Sequence, residues 1–333
     1  MKTIQLTGIG NALVDLEVQV DEQEFVGFDL AKGTMALTSP SRQREMLDIL
    51  GDRPIHRSSG GSAANSVIAF AQFGGTGGYN SLLGADEFGS FYAKEFADIG
   101  INLNARLVPN EVTGTCLVLI TPDTERTLNT TLAVNTAFSR HDVDEQQISK
   151  SDWIYIEGYK LTEEGGADAV ENAAFLAKKH GTHVAVSCSD QFIIDVFGDR
   201  LKALLKHADL IFCNEGEAMA LTGEHSGDTA FDSLASKYKN VAVTLGTQGS
   251  RIQWNGERAD IPAYVVKPVD ATGAGDMYAG AFFYGVLNRY RAEHAGRLAS
   301  YAASLVVAQM GARLKENHLE VRDSVLLTAE IIP

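Results

Sequence analysis

The segment DATGAGDMYAGAF at 270–282 sets Gly273, Ala274 and Gly275 directly before an apolar run that continues through Ala279, Phe282, Phe283 and Val286. Small residues let backbone amides turn toward a ligand, and a helix N-terminus adds roughly half a positive charge. The result is an anion hole suited to a phosphoryl group, whose charge is spread over three oxygens. Asp276 falls in the first turn of that helix. A lone aspartate there reads as a cap or dipole partner. Beside an anion hole it is also placed to take the proton of an attacking hydroxyl. No Gly-Lys-Ser/Thr follows a glycine-rich loop, so this is not a Walker phosphate loop. GIGNAL at 8–13 lacks the third glycine of a dinucleotide fingerprint, which counts against a nicotinamide-dependent oxidoreductase.

Five further clusters accompany it. In SSGGSAANSVIAF, Gly60 and Gly61 precede a helical pattern that carries Asn65. They make either a plain glycine turn or a backbone that a polar ligand approaches closely, with an amide able to donate and accept at once. Asn11 and Asp15, in GNALVD, stand after the first strand; a carboxylate there can accept from two hydroxyls of a polyol, or be a solvated turn residue. Asn214 and Glu217, in CNEGEAMALTG, fit a helix capping box. They also fit a site where Mg²⁺ is held largely through water. VTLGTQGS at 243–250 ends a strand in a glycine turn, a hairpin or a place to hold a nucleotide. Arg126, in TPDTERT, is either a solvated surface residue or a cation that folds over transferred phosphate.

Positioning these residues calls for an alternating framework. Apolar runs at 3–10, 76–84, 151–159, 183–189, 208–214 and 240–246 read as buried parallel strands. Helical patterns lie at 39–50, 62–74, 87–99, 163–180, 190–206, 215–222, 229–238, 274–290 and 294–310. Strand-helix alternation predicts a doubly wound α/β sheet with ligands at the carboxyl ends of the strands. Residues 13–38 and 110–135 break the rhythm with period-two hairpin patterns, which predicts a small sheet inserted rather than appended. The expected division is a large α/β unit over 1–11, 39–107 and 138–333, with a β-sheet lid from 12–38 and 108–137.

The 333 residues carry 28 Lys and Arg against 43 Asp and Glu, a net charge of −15. That balance disfavours nucleic acid and an anionic membrane surface as partners. Any phosphate must be held by local devices. No apolar stretch approaches the ~18 residues of a membrane span. The first residues read as strand and turn rather than a secretion signal. Cys116, Cys188 and Cys213 are scattered through apolar runs, so buried reduced thiols and a cytoplasmic location are expected. An exposed edge of the small sheet could pair with a second copy; a monomer or a homodimer fits equally.

Taken together these motifs resemble the ribokinase-like (PfkB) carbohydrate and nucleoside kinases over nearly the whole chain, most specifically in Gly60-Gly61 with Asn65 and in DATGAGD. The resemblance implies a three-layer α/β sandwich with a mainly parallel central sheet and a β-sheet lid. It implies Asp276 as catalytic base, Ala271, Gly273, Ala274 and Gly275 as anion hole, and Arg126 approaching the phosphates. Asn214 and Glu217 would serve Mg²⁺ and phosphate. Thr244, Gly246 and Gly249 would touch ATP, and Asp15, Gly61 and Asn65 the sugar hydroxyls. GNALVD and RTLNTTLAVN are most similar to adenosine kinases and related bacterial sugar kinases; Ser62 stands where ribokinases usually carry Lys. On that likeness Met35, Leu128, Thr130 and Tyr159 would surround a base or apolar substrate end. Asp270, Thr272 and Gly311 would supply oxygens to a monovalent cation such as K⁺. The expected reaction is ATP-dependent phosphorylation of a primary hydroxyl, adenosine to AMP first. A free sugar (ribose, fructose or 2-keto-3-deoxygluconate) is the alternative acceptor, and a non-catalytic nucleotide sensor the alternative role.

Overall fold

Within the run 153–156, Trp153 and Tyr155 join one apolar core while Ile154 and Ile156 join a second. Residues 184–186 and 241–243 alternate in the same way. Successive side chains of a strand point to opposite faces, so a strand apolar at every position must be covered on both sides. Three layers follow from that pattern.

The computed structural model describes residues 2–123 and 125–329. Met1, Thr124 (in the DTER segment expected to turn), and 330–333 at the end of the expected large unit lie outside the described residues. The chain opens with β1 (Ile4–Ile9), β2 (Leu13–Gln19), α1 (Glu22–Gly27), β3 (Met35–Leu37), α2 (Pro40–Leu50), β4 (His56–Gly60) and α3 (Ser62–Gln72). It continues through β5 (Gly77–Gly84), α4 (Glu87–Ile99), β6 (Asn102–Val108), β7 (Gly114–Ile120), β8 (Arg126–Thr131), α5 (Glu145–Ser149) and β9 (Ser151–Glu157). Next come α6 (Glu164–Lys179), β10 (His183–Ser187), α7 (Gln191–Leu205), β11 (Leu210–Asn214), α8 (Glu215–Thr222), α9 (Gly227–Lys237) and β12 (Asn240–Thr244). It closes with β13 (Ser250–Trp254), β14 (Glu257–Ile261), α10 (Ala274–Leu287), α11 (Ala292–Val307) and α12 (His318–Leu326).

Nine strands form the large sheet in the order β14-β13-β12-β11-β10-β9-β1-β5-β6. From β12 to β6 all neighbours run parallel; β13 and β14 form an antiparallel hairpin at one edge. Helices α3, α10 and α11 pack on one face and α6, α7 and α9 on the other. Phe282 and Phe283 of α10 meet Phe212 of β11 at 5.8 and 5.3 Å between ring centres, and Tyr155 of β9 sits 5.4 Å from Phe283. Such pairs contribute about 0.5–1.5 kcal/mol each beyond area burial. They fix the helix that carries Asp276 against the sheet.

The second sheet has the order β3-β8-β7-β2-β4. Its β7–β8 hairpin is antiparallel, whereas β2 pairs β7 and β3 pairs β8 in parallel. It is wider than the segments 12–38 and 108–137 expected for it. Strand β4 comes from within 39–107, where HRSSG has no apolar alternation to mark it; it pairs antiparallel with β2. The three cysteines are buried and unbonded to one another. Among the described residues no helix is long and apolar enough to cross a membrane.

Candidate active site

The chain passes from the large sheet to the small one at Gly10–Ala12, and side chains of the large sheet hold that crossing. Glu157, at the carboxyl end of β9, accepts from the Asn11 amide at 2.7 Å and from the Ala63 amide at 2.9 Å. Tyr79 donates to the Asn11 carbonyl (3.0 Å) and Ser81 to the Gly10 carbonyl (2.7 Å). Asn135 both accepts from and donates to the Ala12 backbone. Gly60 and Gly61 leave no free room for a side chain, and at Gly61 the obstacle is backbone. A Cβ on Gly60 would lie 2.5 Å from the Asp15 carboxylate, and one on Gly61 would strike the Asn11 carbonyl. Gly61 also sits at φ 104°, in the left-handed region.

A cavity of about 670 Å³ opens above this crossing. It gathers Asn11, Asp15, Met35, Gly61, Asn65, Arg126, Leu128, Thr130, Tyr159, Thr272 and Asp276 from both sheets. Gly60 lies beneath Asp15 rather than in the wall. The Asp276 carboxylate accepts from the Ser62 hydroxyl (2.7 Å) and the Asn65 amide (3.2 Å). Asn65 is thus engaged by Asp276, and its other amide atom, Oδ1, is buried without a partner among the described residues. Burial pushes the Asp276 carboxyl up to about 7; Ser62 and Asn65 pull it down, and the charges of Glu157 and Asp15 add to the rise. Burial likewise raises Asp15 to about 7, with Arg313 the largest opposing charge. A carboxyl raised toward neutrality is suited to taking up a proton at neutral pH.

A polar neck of about 310 Å³ adjoins, walled by Ser62, Asp276, Gly273, Gly275, Thr244, Asn214 and Glu217. Asn214 and Glu217 do form the capping box of α8: Asn214 Oδ1 accepts from the Glu217 amide at 2.9 Å, and Glu217 accepts from the Asn214 backbone at 3.0 Å. Burial raises Glu217 to about 7. Among the described residues no group of three His, Cys, Asp or Glu could hold a metal by itself. Two carboxylates, Glu217 and Asp276, facing an open neck fit Mg²⁺ that keeps its waters and arrives on a phosphate.

Beyond the neck lies a third cavity, about 450 Å³, walled by Thr244, Gly246, Gly249, Ala271, Ala274, Gly275, the loop Ala263–Pro268 and the α11 residues Ser300 and Ser304. Helix α10 points its N-terminus between these spaces. Its N-cap Gly273, at φ 76°, provides no side-chain cap. The Ala274 amide already donates to the Ala271 carbonyl (3.2 Å). Gly275, with open space around its Cα, leaves its amide face accessible.

One expectation needs correction. Arg126 is not a free cation over the site. It is buried, bonded to Glu17 of β2 at 2.6 Å and to Asp270 at 3.0 Å, and so ties the small sheet to the loop before the anion hole. Asp270, Thr272 and Gly311 do meet: the Asp270 carboxylate accepts from the amides of Thr272 (2.9 Å) and Gly311 (3.0 Å) and from Arg126.

Sequence reasoning missed Ser62, Glu157, Lys160, Asp190, Phe192 and Arg313. Only Glu157 carried a signal, a carboxylate closing the buried strand SDWIYIE. Arg313 donates to Glu95 and to the Ser59 carbonyl, and Glu95 accepts from the Ser59 amide (2.8 Å), so the free edge of β4 is bound to the large unit. Burial pulls the Lys160 ammonium down to about 8, with Glu157 opposing.

Three adjoining cavities share their walls, with the Asp276 carboxyl at one junction and the uncapped N-terminus of α10 at the other. The chain belongs to the pfkB family of carbohydrate kinases, whose family model matches residues 47–318. It is 29% identical to a ribokinase of Haemophilus influenzae over 263 residues, covering 76% of this chain and 82% of that one. It is 24% identical to adenosine kinase 2 of Arabidopsis thaliana over 334 residues, covering 93% and 96%. The crystal structure of adenosine kinase from Sinorhizobium meliloti superposes with a TM-score of 0.87 at 29% identity, covering 96% of this chain and 99% of that one. The fold is the ribokinase-like α/β sandwich, and the activity is that of a phosphotransferase with an alcohol acceptor.

Proposed function

We propose that this kinase transfers the γ-phosphoryl group of ATP, carried with Mg²⁺, to the 5′-hydroxyl of a nucleoside, adenosine first. The observation that carries the reading is the row of cavities. The neck shares Asp276 with the 670 Å³ cavity and Thr244 and Gly275 with the 450 Å³ cavity, so an acceptor hydroxyl and a terminal phosphate can meet only beside the base.

In this reading Asp276 takes the hydroxyl proton as the oxygen bonds to the γ-phosphorus, and the bond to the β-bridging oxygen breaks to release ADP. The Gly275 amide and the dipole of α10 face the charge that spreads over the transferred group. Mg²⁺, when bound with the nucleotide near Glu217 and Asn214, supplies neutralisation of phosphate charge. The small sheet excludes water, which would otherwise compete as acceptor. Asp15 accepts from ribose hydroxyls.

The choice of a nucleoside rests on the far end of the acceptor cavity. Leu13, Met35, Leu37, Val118, Leu128, Leu132 and Phe192 make it apolar. Among the described residues Arg126 is the one cation in its wall, and it is already paired twice. That surface suits a flat base and gives an acidic sugar such as 2-keto-3-deoxygluconate no counter-charge. Likeness to a ribokinase keeps ribose as the second reading. The test is ADP release with ATP and Mg²⁺ on adenosine, inosine, guanosine, ribose, fructose and 2-keto-3-deoxygluconate. Turnover on adenosine above the free sugars supports the proposal. Turnover on a free sugar alone discards the base pocket and keeps the chemistry, and nucleotide binding without turnover on any acceptor overturns the kinase assignment in favour of a sensor.

A further inference from the structure

We infer that Lys160 is a positioning residue for acceptor recognition: its buried ammonium locks the Asn11 amide so that Asn11 presents a hydrogen-bond donor, never an acceptor, to the substrate. The inference rests on the reading of the 670 Å³ cavity as the acceptor site.

Lys160 is 2% exposed and has no role in the transfer step. Its Nζ lies 3.0 Å from Asn11 Oδ1 and 3.1 Å from the Asn135 carbonyl, and 4.5 Å from the centre of the Phe138 ring. An ammonium has three donors and no lone pair. The atom of Asn11 that faces it must therefore be the oxygen; the flipped amide would set N–H against N–H in a buried site. The Asn11 backbone is held at both ends, its amide by Glu157 and its carbonyl by Tyr79, so the side chain cannot evade the choice by moving. Asn11 lines the cavity, and among the described residues no acceptor meets its Nδ2.

The consequence is chemical. Asp15, when ionised, only accepts; Asn11, locked by Lys160, only donates. A donor and an acceptor side by side read two neighbouring hydroxyls, one through its proton and one through its oxygen lone pair. A substrate lacking the oxygen that meets Asn11 leaves that donor unpaired, and a site built to bond a hydroxyl discriminates strongly against its absence. Lys160 would thus set the preference for a ribo over a deoxyribo acceptor without touching either.

The experiment compares adenosine, 2′-deoxyadenosine and 3′-deoxyadenosine as acceptors for the wild type, Lys160→Met, Asn11→Ala and the double variant, with thermal melting as a fold control. Loss of one neutral hydrogen bond corresponds to about tenfold. Lys160→Met is expected to raise the KM for adenosine about tenfold, with kcat and the KM for ATP nearly unchanged. Preference for adenosine over one of the deoxynucleosides should fall by the same factor. In the Asn11→Ala background Lys160→Met should add nothing to that loss. Equal losses on all three acceptors, or losses that multiply in the double variant, would overturn the inference. Should Lys160→Met fail to fold, Asn11→Asp decides. It keeps an oxygen toward Lys160 and turns the cavity-facing donor into an acceptor. It is expected to fold and lose the preference; wild-type preference in that variant overturns the inference. A wild type active only on free sugars refutes the nucleoside reading instead, and the same comparison then runs on ribose and its 2-deoxy and 3-deoxy forms.

Discussion

Replacing Asp276 with asparagine should cripple the enzyme and stabilise the protein, the second effect appearing only as pH rises. The Ser62 hydroxyl can still donate to the amide oxygen. Asn65 can rotate its side-chain amide to accept from the new N–H, because its Oδ1 has no partner now. The substitution therefore removes a charge and a proton acceptor at little steric cost. The folded-state carboxyl stands at about 7 against an ordinary 3.8, mainly through burial. Between those values the folded protein holds a proton that the unfolded chain has released. Wild-type stability from this group thus falls as pH climbs from about 4 to 7, and the deficit is complete above 7. The full displacement corresponds to roughly 4 kcal/mol; contact with cavity water brings the expected gain to about 2 kcal/mol. For a chain of this size that is about 4 °C in melting temperature. Melting curves of both proteins from pH 4 to 8.5 should diverge through this window, while turnover with ATP and Mg²⁺ falls about a hundredfold or more and nucleotide still binds. Glu217 slopes the same way in both proteins and drops out of the difference, whereas Asp15 loses a repelling neighbour in the variant and adds a smaller gain of the same sign. A melting difference independent of pH, or wild-type-like turnover, would refute the reasoning.

With Asp276 and Asp15 both raised to about 7, kcat/KM for the acceptor should fall below neutral pH with a slope steeper than one, because the base must be unprotonated and Asp15 must be able to accept; Asp15→Asn should reduce the slope to one, read from the pH–rate profile. Gly61→Ala puts a methyl against the Asn11 carbonyl at φ 104° and should lower acceptor kcat/KM by more than tenfold while the donor KM is unchanged, measured by steady-state kinetics. Leu128→Ala, in the apolar end of the acceptor cavity, should raise the KM for adenosine about tenfold and leave that for ribose unaltered, the loss expected of one buried leucine side chain.

Much of this is legible in the sequence. Gly60-Gly61 and DATGAGD announced themselves because close approach to a backbone admits few residue types, and the structure gives both glycines a neighbour that excludes a Cβ. The six central strands and the helices between them followed from apolar periodicity. What stayed hidden depends on tertiary neighbours. Lys160 looks like a surface residue until Phe138 and Asn135 close over it. Strand β4 has no apolar alternation, because only Ser59 and Gly60 are buried and neither carries an apolar side chain; tertiary partners Glu95 and Arg313 bind its backbone edge. Asn214 and Glu217 were ambiguous because the capping box and a water-held metal need the same two side chains, and the structure builds the first without excluding the second. Arg126 was read as free because its partners, Glu17 and Asp270, stand far from it along the chain.

The small sheet also governs how the molecule can assemble. Its strand β2 has as neighbours β4, at Leu13↔Gly60, and β7, at Leu13↔Gly114, while β1 beside it waits for β9, at Leu6↔Trp153. Contacts of such sequence separation close large loops before any pairing rewards them, which slows folding. During synthesis the first 110 residues leave the ribosome with β1 and β2 each lacking a partner that has yet to be made. All five strands of the small sheet lie within residues 13–131, so that sheet can be complete while β9 to β14 are still unmade, and the cavity between the sheets forms only when the later strands and α10 arrive.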